Sequence, residues 1–248
     1  MSDEVNTSRR GFLKALIGLS AVAAVGGIGK SAVQSIVTPS VGLSGFPETM
    51  LYWIDPASPN SAPVPLKVSQ FAVMSPQVWV YYYPLSDEPN FLIKFPDPVP
   101  AVPVDIDATG QIFNSPPGVG PNNSLVSFSA ICQHLGCIPP IIHYYPPNSI
   151  SQLPSNVQSS LSAENKKYGV IHCNCHGSTY DPFKGASIIT HPTQRPLPNV
   201  VLSYNSITDS VFAKKLVGPT VFGHPSDLSG GNSISNLKKT TLINMSSA

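Results

Sequence analysis

Two short stretches, Cys132-Gln133-His134-Leu135-Gly136-Cys137 and Cys173-Asn174-Cys175-His176-Gly177-Ser178-Thr179-Tyr180-Asp181, hold every cysteine of this 248-residue chain. Each box has two cysteines and one histidine, ordered Cys-x-His-x-x-Cys in the first and Cys-x-Cys-His in the second. Four thiols and two imidazoles are more donors than one tetrahedral ion needs. A structural zinc site takes four of the six and leaves two odd groups. A four-cysteine cluster leaves both histidines unexplained. A metal centre held by one Cys and one His from each box leaves one cysteine over in each.

The boxes resemble the pattern of Rieske iron–sulfur proteins, Cys-x-His-x-Gly-Cys followed by Cys-x-Cys-His-Gly-Ser. The resemblance implies a [2Fe–2S] cluster, with Cys132 and Cys173 as thiolate ligands on one iron and His134 and His176 as imidazole ligands on the other. Cys137 and Cys175 are then a disulfide that holds the two loops together, which requires an oxidising compartment. The implied fold is all-β: an antiparallel β-sandwich with a small inserted cluster-binding subdomain at about 128–198.

The ligand chemistry explains the residue types. Replacing two thiolates by neutral imidazoles removes two negative charges and raises the potential from roughly −400 mV to about −150 to +300 mV. The imidazoles also titrate, so electron uptake can be coupled to proton uptake, as quinol oxidation requires. By the same resemblance, Ser178 and Tyr180 are hydroxyl donors to cluster sulfur, and Leu135 shields the cluster from water. Gly136 and Gly177 allow tight loops. Arg195-Pro196-Leu197-Pro198 matches a Gly-Pro-x-Pro segment that covers the cluster through Pro196, with Arg195 standing in place of the glycine.

Outward from the boxes, Leu125–Ala130 reads as the strand delivering the first and Tyr168–Ile171 as the strand entering the second. Residues 138–172 form a long insertion, with one short helix around Val157–Asn165. His143 and His172 flank the boxes off the ligand positions and read as structural. Val78–Tyr83 and Phe91–Phe95 are rich in aromatic and β-branched residues bounded by turn formers, hence strands; the Tyr81–Tyr83 run reads as sheet packing. Val200–Tyr204 and Ser210–Ala213 form a hairpin around Asn205-Ser206. The tail from about 224 is rich in Ser, Gly and Asn.

Charged residues are only 11% of the chain, prolines number 27, and the net charge is +1. That composition fits a loop-rich β protein and gives no basic patch for nucleic acid. Residues 1–14 end in Ser8-Arg9-Arg10-Gly11-Phe12-Leu13-Lys14, a twin arginine ahead of the uncharged run Ala15–Gly29. This resembles a Tat export signal and places the N-terminus in the cytoplasm. Ala15–Gly29 spans only about 22 Å, so a membrane helix needs residues 15–37. Residues 38–48 read as a flexible linker and 49–248 as the Rieske domain.

The resemblance thus implies a single-pass protein of the cell membrane with its head on the extracytoplasmic side. It implies a subunit that takes an electron and a proton from a quinol beside a cytochrome b-type partner. His176, and His134 with it, would meet the quinol, and a haem or copper acceptor would receive the electron. The small subunit of a Tat-exported molybdenum oxidase such as arsenite oxidase would carry the same cluster with other partners. A soluble ferredoxin of a ring-hydroxylating oxygenase lacks the disulfide cysteines and export segment.

Overall fold

The protein is described from a computed structural model, over residues 47–219 and 234–245. The expected membrane segment 15–37, the twin arginine and nearly all of the 38–48 linker lie outside these residues. Among the described residues no helix is long and apolar enough to cross a membrane.

Among the described residues, fifteen strands follow in chain order. The first seven are β1 (Thr49–Trp53), β2 (Val64–Pro65), β3 (Trp79–Tyr82), β4 (Pro89–Lys94), β5 (Pro103–Ile106), β6 (Gln111–Asn114) and β7 (Leu125–Ser129). Then come β8 (Ile142–Tyr145), β9 (Val170–Cys173), β10 (Thr179–Asp181), β11 (Ser187–Thr190), β12 (Asn199–Asn205), β13 (Ser210–Val217), β14 (Lys239–Thr241) and β15 (Ile243–Asn244). The large sheet runs β14-β1-β13-β12-β7-β4-β3-β15, with β2 beside β1. A smaller sheet runs β11-β10-β9-β8, and β5 pairs with β6 alone.

Side-chain alternation puts β3, β4 and β7 between two cores. Trp79, Tyr81, Leu92 and Leu125 face one, packed with Leu51, Leu66, Val211 and Leu216. Val80, Phe91, Ile93, Val126 and Phe128 face the other, packed with Ile142, Tyr144, Ile171 and Leu197 under the small sheet. Burial on both faces is why Phe91-Leu92-Ile93 is apolar without interruption rather than alternating. Tyr81 and Tyr83 are core residues of the first cluster, as their reading as sheet packing expects.

Two features depart from the sequence pattern. The tail supplies β14 and β15, although pattern alone assigns no strand there. β14 lies parallel to β1 and β15 antiparallel to β3, so one six-residue stretch joins the two ends of the large sheet. Leu242 between them is buried in the first core, and its N–H donates to Tyr52 O. Burying a leucine side chain contributes roughly 1.5–3 kcal/mol, enough to seat so short a pairing.

The insertion is the second departure. Instead of one helix over 157–165 there are two, α1 (Ser155–Ser160) and α2 (Ala163–Tyr168). Leu161 is extended, and Ser162 caps α2 in a reciprocal box with Asn165. Tyr168 ends α2 instead of starting a strand. Gly169, at φ 79°, makes the turn into β9, where a Cβ would come within 2.3 Å of Tyr145 O. Ile150, Leu153, Val157 and Leu161 give the insertion its own small core against Tyr145 and Val170.

Candidate metal centre

The first box lies between β7 and β8; the second is the turn between β9 and β10. Both start from strands anchored in the core beneath the small sheet, which brings Cys132 and Cys173 together, 2% and 1% exposed. Both are free thiols and hydrogen-bond to each other. Cys137 and Cys175 form a disulfide linking the two loops. The Sγ of Cys173 lies within 4.8 Å of both disulfide sulfurs, but bonded sulfurs are not thiolate donors. The donors left for a metal are Cys132, Cys173 and the two histidines.

The two histidines lie beside each other and are less buried than the thiols. His176 is exposed and His134 half-buried, with ring centroids 4.9 Å apart and planes at 82°. The Nδ1 of His134 is buried with no hydrogen-bond partner. A buried imidazole nitrogen without a partner costs free energy unless something occupies its lone pair. Two buried thiols, an unpartnered imidazole nitrogen and a second imidazole beside it fit an iron–sulfur centre of mixed ligation.

Electrostatics distinguish the two sulfurs. The hydrogen bond from the Cys173 thiol does most to pull Cys132 down to about 5, working against burial. Tyr180, the backbone N–H of His134 and Ser178 add to it. Cys173 is pushed up, first by the same bond, then by burial and the Cys132 charge, against the backbone N–H groups of Cys175 and His176. The shared hydrogen bond thus favours negative charge at Cys132 and disfavours it at Cys173. Burial and that charge hold the Tyr180 phenol well above its ordinary value.

Each site residue named from sequence has a definite place. Tyr180 Oη lies 3.5 Å from Cys132 Sγ and accepts from Gln133 N–H at 3.1 Å. Ser178 is buried, hydrogen-bonds the Cys132 sulfur, and accepts from Thr193 N–H at 3.2 Å. Gly136 and Gly177 sit at φ 81° and 95°. Pro196 is buried in the segment leading to β12. Leu135 is 58% exposed at the tip of the first loop, with Ile138 and Ile141 exposed after it. His143 and His172 are neighbours across β8–β9. His172 Nδ1 bonds Thr179 Oγ1 at 2.8 Å, and His143 stacks on Tyr145 at 4.0 Å.

Other supporting groups carry no signal in the sequence. Asn174, between the second-box cysteines, exchanges hydrogen bonds with Tyr145, and its N–H donates to Ile141 O. Thr193 is fully buried and exchanges two bonds with the Arg195 backbone. Nothing in the run His191-Pro192-Thr193-Gln194 separates that threonine from an ordinary loop residue.

Residues 103–201 match the family model of the Rieske [2Fe-2S] domain. The chain is also similar to the crystal structure of the soluble domain of the Rieske protein II (soxF) from Sulfolobus acidocaldarius. The identity is 27% and the TM-score 0.49, over 75% of this chain and 85% of that one. With the paired boxes, the free buried thiols and the linking disulfide, the chain contains a Rieske domain, an electron-transfer module that binds a [2Fe–2S] cluster through cysteine and histidine.

Proposed function

We propose that Cys132, Cys173, His134 and His176 hold the cluster. The protein then takes an electron and a proton from a quinol and passes the electron to a cytochrome or copper acceptor. The setting is a membrane respiratory complex of cytochrome bc or archaeal quinol-oxidase type, with a cytochrome b-type subunit beside this one. When bound, such a cluster supplies a one-electron couple in the range of about −150 to +300 mV.

The observation that carries the reading is the convergence of two buried hydroxyls, Ser178 and Tyr180, on Cys132 sulfur while His176 stays exposed. Hydrogen bonds donated to a ligand sulfur favour the more negative, reduced form and so raise the potential. An exposed imidazole accepts the hydrogen bond of a quinol hydroxyl and then its proton, as the electron leaves the quinol. The Cys137–Cys175 disulfide supports an oxidising, extracytoplasmic location for the head. Arg9-Arg10 ahead of the uncharged run Ala15–Gly29, at the start of the expected 15–37 span, supports export and a single anchor in the cell membrane.

A redox titration of the full-length, cluster-loaded protein from acid to alkaline pH tests this. The expected result is a high potential that falls as pH rises through histidine ionisation, and that drops in Tyr180→Phe. A low potential, flat through neutral pH, would leave the cluster in place and exclude quinol as the donor.

A further inference from the structure

A hydroxyl is a useful donor only if something fixes its rotor. Its proton points at one partner when another group occupies its lone pairs. Both hydroxyls on Cys132 are fixed in this way. Tyr180 Oη accepts from Gln133 N–H, and Ser178 Oγ accepts from Thr193 N–H at 3.2 Å. Gln133 belongs to the first box itself. Thr193 comes from a separate segment between β11 and β12, sixty residues along the chain from Gln133 and outside both boxes.

We propose that Thr193 is a positioning residue for the iron–sulfur site. Its Oγ1 donates to Arg195 O at 2.9 Å and accepts from Arg195 N–H at 3.2 Å. These two bonds fold the backbone so that the Thr193 N–H meets Ser178 Oγ, leaving the serine proton to face the cysteine sulfur. The side chain is 0% exposed, so water offers no replacement for either bond. The Thr193 hydroxyl also lies within hydrogen-bonding reach of Tyr180. One residue of the covering segment thus touches both donors that act on Cys132. The proposal rests on Ser178 acting as a donor to cluster sulfur.

The test measures midpoint potential, with cluster content checked by EPR, in the full-length protein. Thr193→Val keeps the branched shape and removes both side-chain hydrogen bonds; Thr193→Ser keeps them. Thr193→Val is expected to lower the equilibrium constant for reduction three- to tenfold, where tenfold is about 59 mV for one electron. Thr193→Ser should stay within about twofold of the parent. In a Ser178→Ala background, most of the Thr193→Val shift should disappear, the remainder running through the Tyr180 contact, because residues acting through one partner are non-additive.

An unchanged potential in a fully loaded Thr193→Val protein overturns the proposal. So does a shift of the same size with and without Ser178, since that marks a general structural effect. If Thr193→Val does not load, Thr193→Ala replaces it, since it too lacks both side-chain bonds to Arg195; an unchanged potential there is equally decisive. A Ser178→Ala protein of unaltered potential would instead remove the donor reading of Ser178 on which the proposal stands.

Discussion

The two loops of the metal centre are built on one backbone turn and differ in what hangs from it. In the first, Cys132 N–H donates to Cys137 O and Gly136 N–H donates back to Cys132 O. In the second, Cys173 N–H donates to Ser178 O and Gly177 N–H to Cys173 O. Each turn therefore opens on a cysteine, closes its return bond at a glycine four residues on, and puts that glycine at positive φ. The side chains fall differently on this frame. The histidine is third in the first turn and fourth in the second; the disulfide cysteine is sixth in one and third in the other.

The attachments differ as well. The second turn is pinned by its neighbours: Gly177 O accepts from Thr179 and Thr190 hydroxyls, and Asn174 is bonded to Tyr145 and to Ile141 O. The first presents exposed Leu135, with Ile138 and Ile141 following. A constant turn thus sets the two cysteines at matching depth. One loop is fastened to the small sheet, and the other shows an apolar surface beside the half-buried histidine.

The strongest way to break this symmetry is to remove one ligand from each turn. Cys132→Ser and Cys173→Ser are expected to abolish the visible and EPR signatures equally, with secondary structure kept by circular dichroism. Retention of the cluster in either variant would show that the two turns do not share it evenly. Next comes the link between them. The disulfide closes a sequence separation of 38 residues, for which the chain-entropy relation gives about 4 kcal/mol of stability. Cys137→Ser with Cys175→Ser should lose an amount of that order in denaturant unfolding and shed its cluster faster. A loss below about 1 kcal/mol would mean that β7 to β10 hold the turns together unaided.

The glycines offer a smaller and sharper comparison. Gly177 has no atom within 4 Å of where a Cβ would stand, so alanine there meets only backbone strain. Left-handed backbone costs an L-residue roughly 1–2 kcal/mol. Gly177→Ala and Gly136→Ala should therefore each destabilise by about that much. A much larger loss at Gly136 would show that the first turn depends on closer packing than the second.

The two free buried thiols, the disulfide and the placement of Ser178 and Tyr180 at Cys132 were legible because they lie within the boxes, where spacing along the chain reports position in space. The common turn was not. Reading by ligand type pairs His134 with His176, whereas the backbone pairs Gly136 with Gly177 and Cys137 with Ser178. Thr193 was hidden for a different reason: its role depends on a backbone N–H, which every residue but proline offers. β14 and β15 are too short for periodicity to register, and Met50, Tyr52, Val80 and Trp79, which they pair with, lie more than 150 residues away in sequence. The break between α1 and α2 was readable in principle, since Ser162 precedes Asn165 by the spacing of a capping box.

The smallest expected effect separates how the two turns are fed. The first box follows β7 of the large sheet directly, while the second is reached through α2 and β9. The end of α2 is tied down by Asp97, which accepts from Lys167 Nζ at 2.8 Å and from the Tyr168 hydroxyl. The Lys167 bond, with that of Tyr168, holds the Asp97 carboxyl below its ordinary 3.8. A carboxylate depressed by folding adds stability above its ordinary value, and that stability is lost as pH falls through the depressed value. Asp97 is exposed enough for solvent to screen the pair, so the change is local rather than global. Amide exchange at 168–173 should thus quicken only below about pH 4 relative to exchange at 126–132, and Asp97→Asn should show the faster exchange already at neutral pH. Equal exchange of the two segments in Asp97→Asn would mean that Phe183, stacked on Tyr168 at 3.7 Å, fastens the approach to the second turn without help from the ion pair.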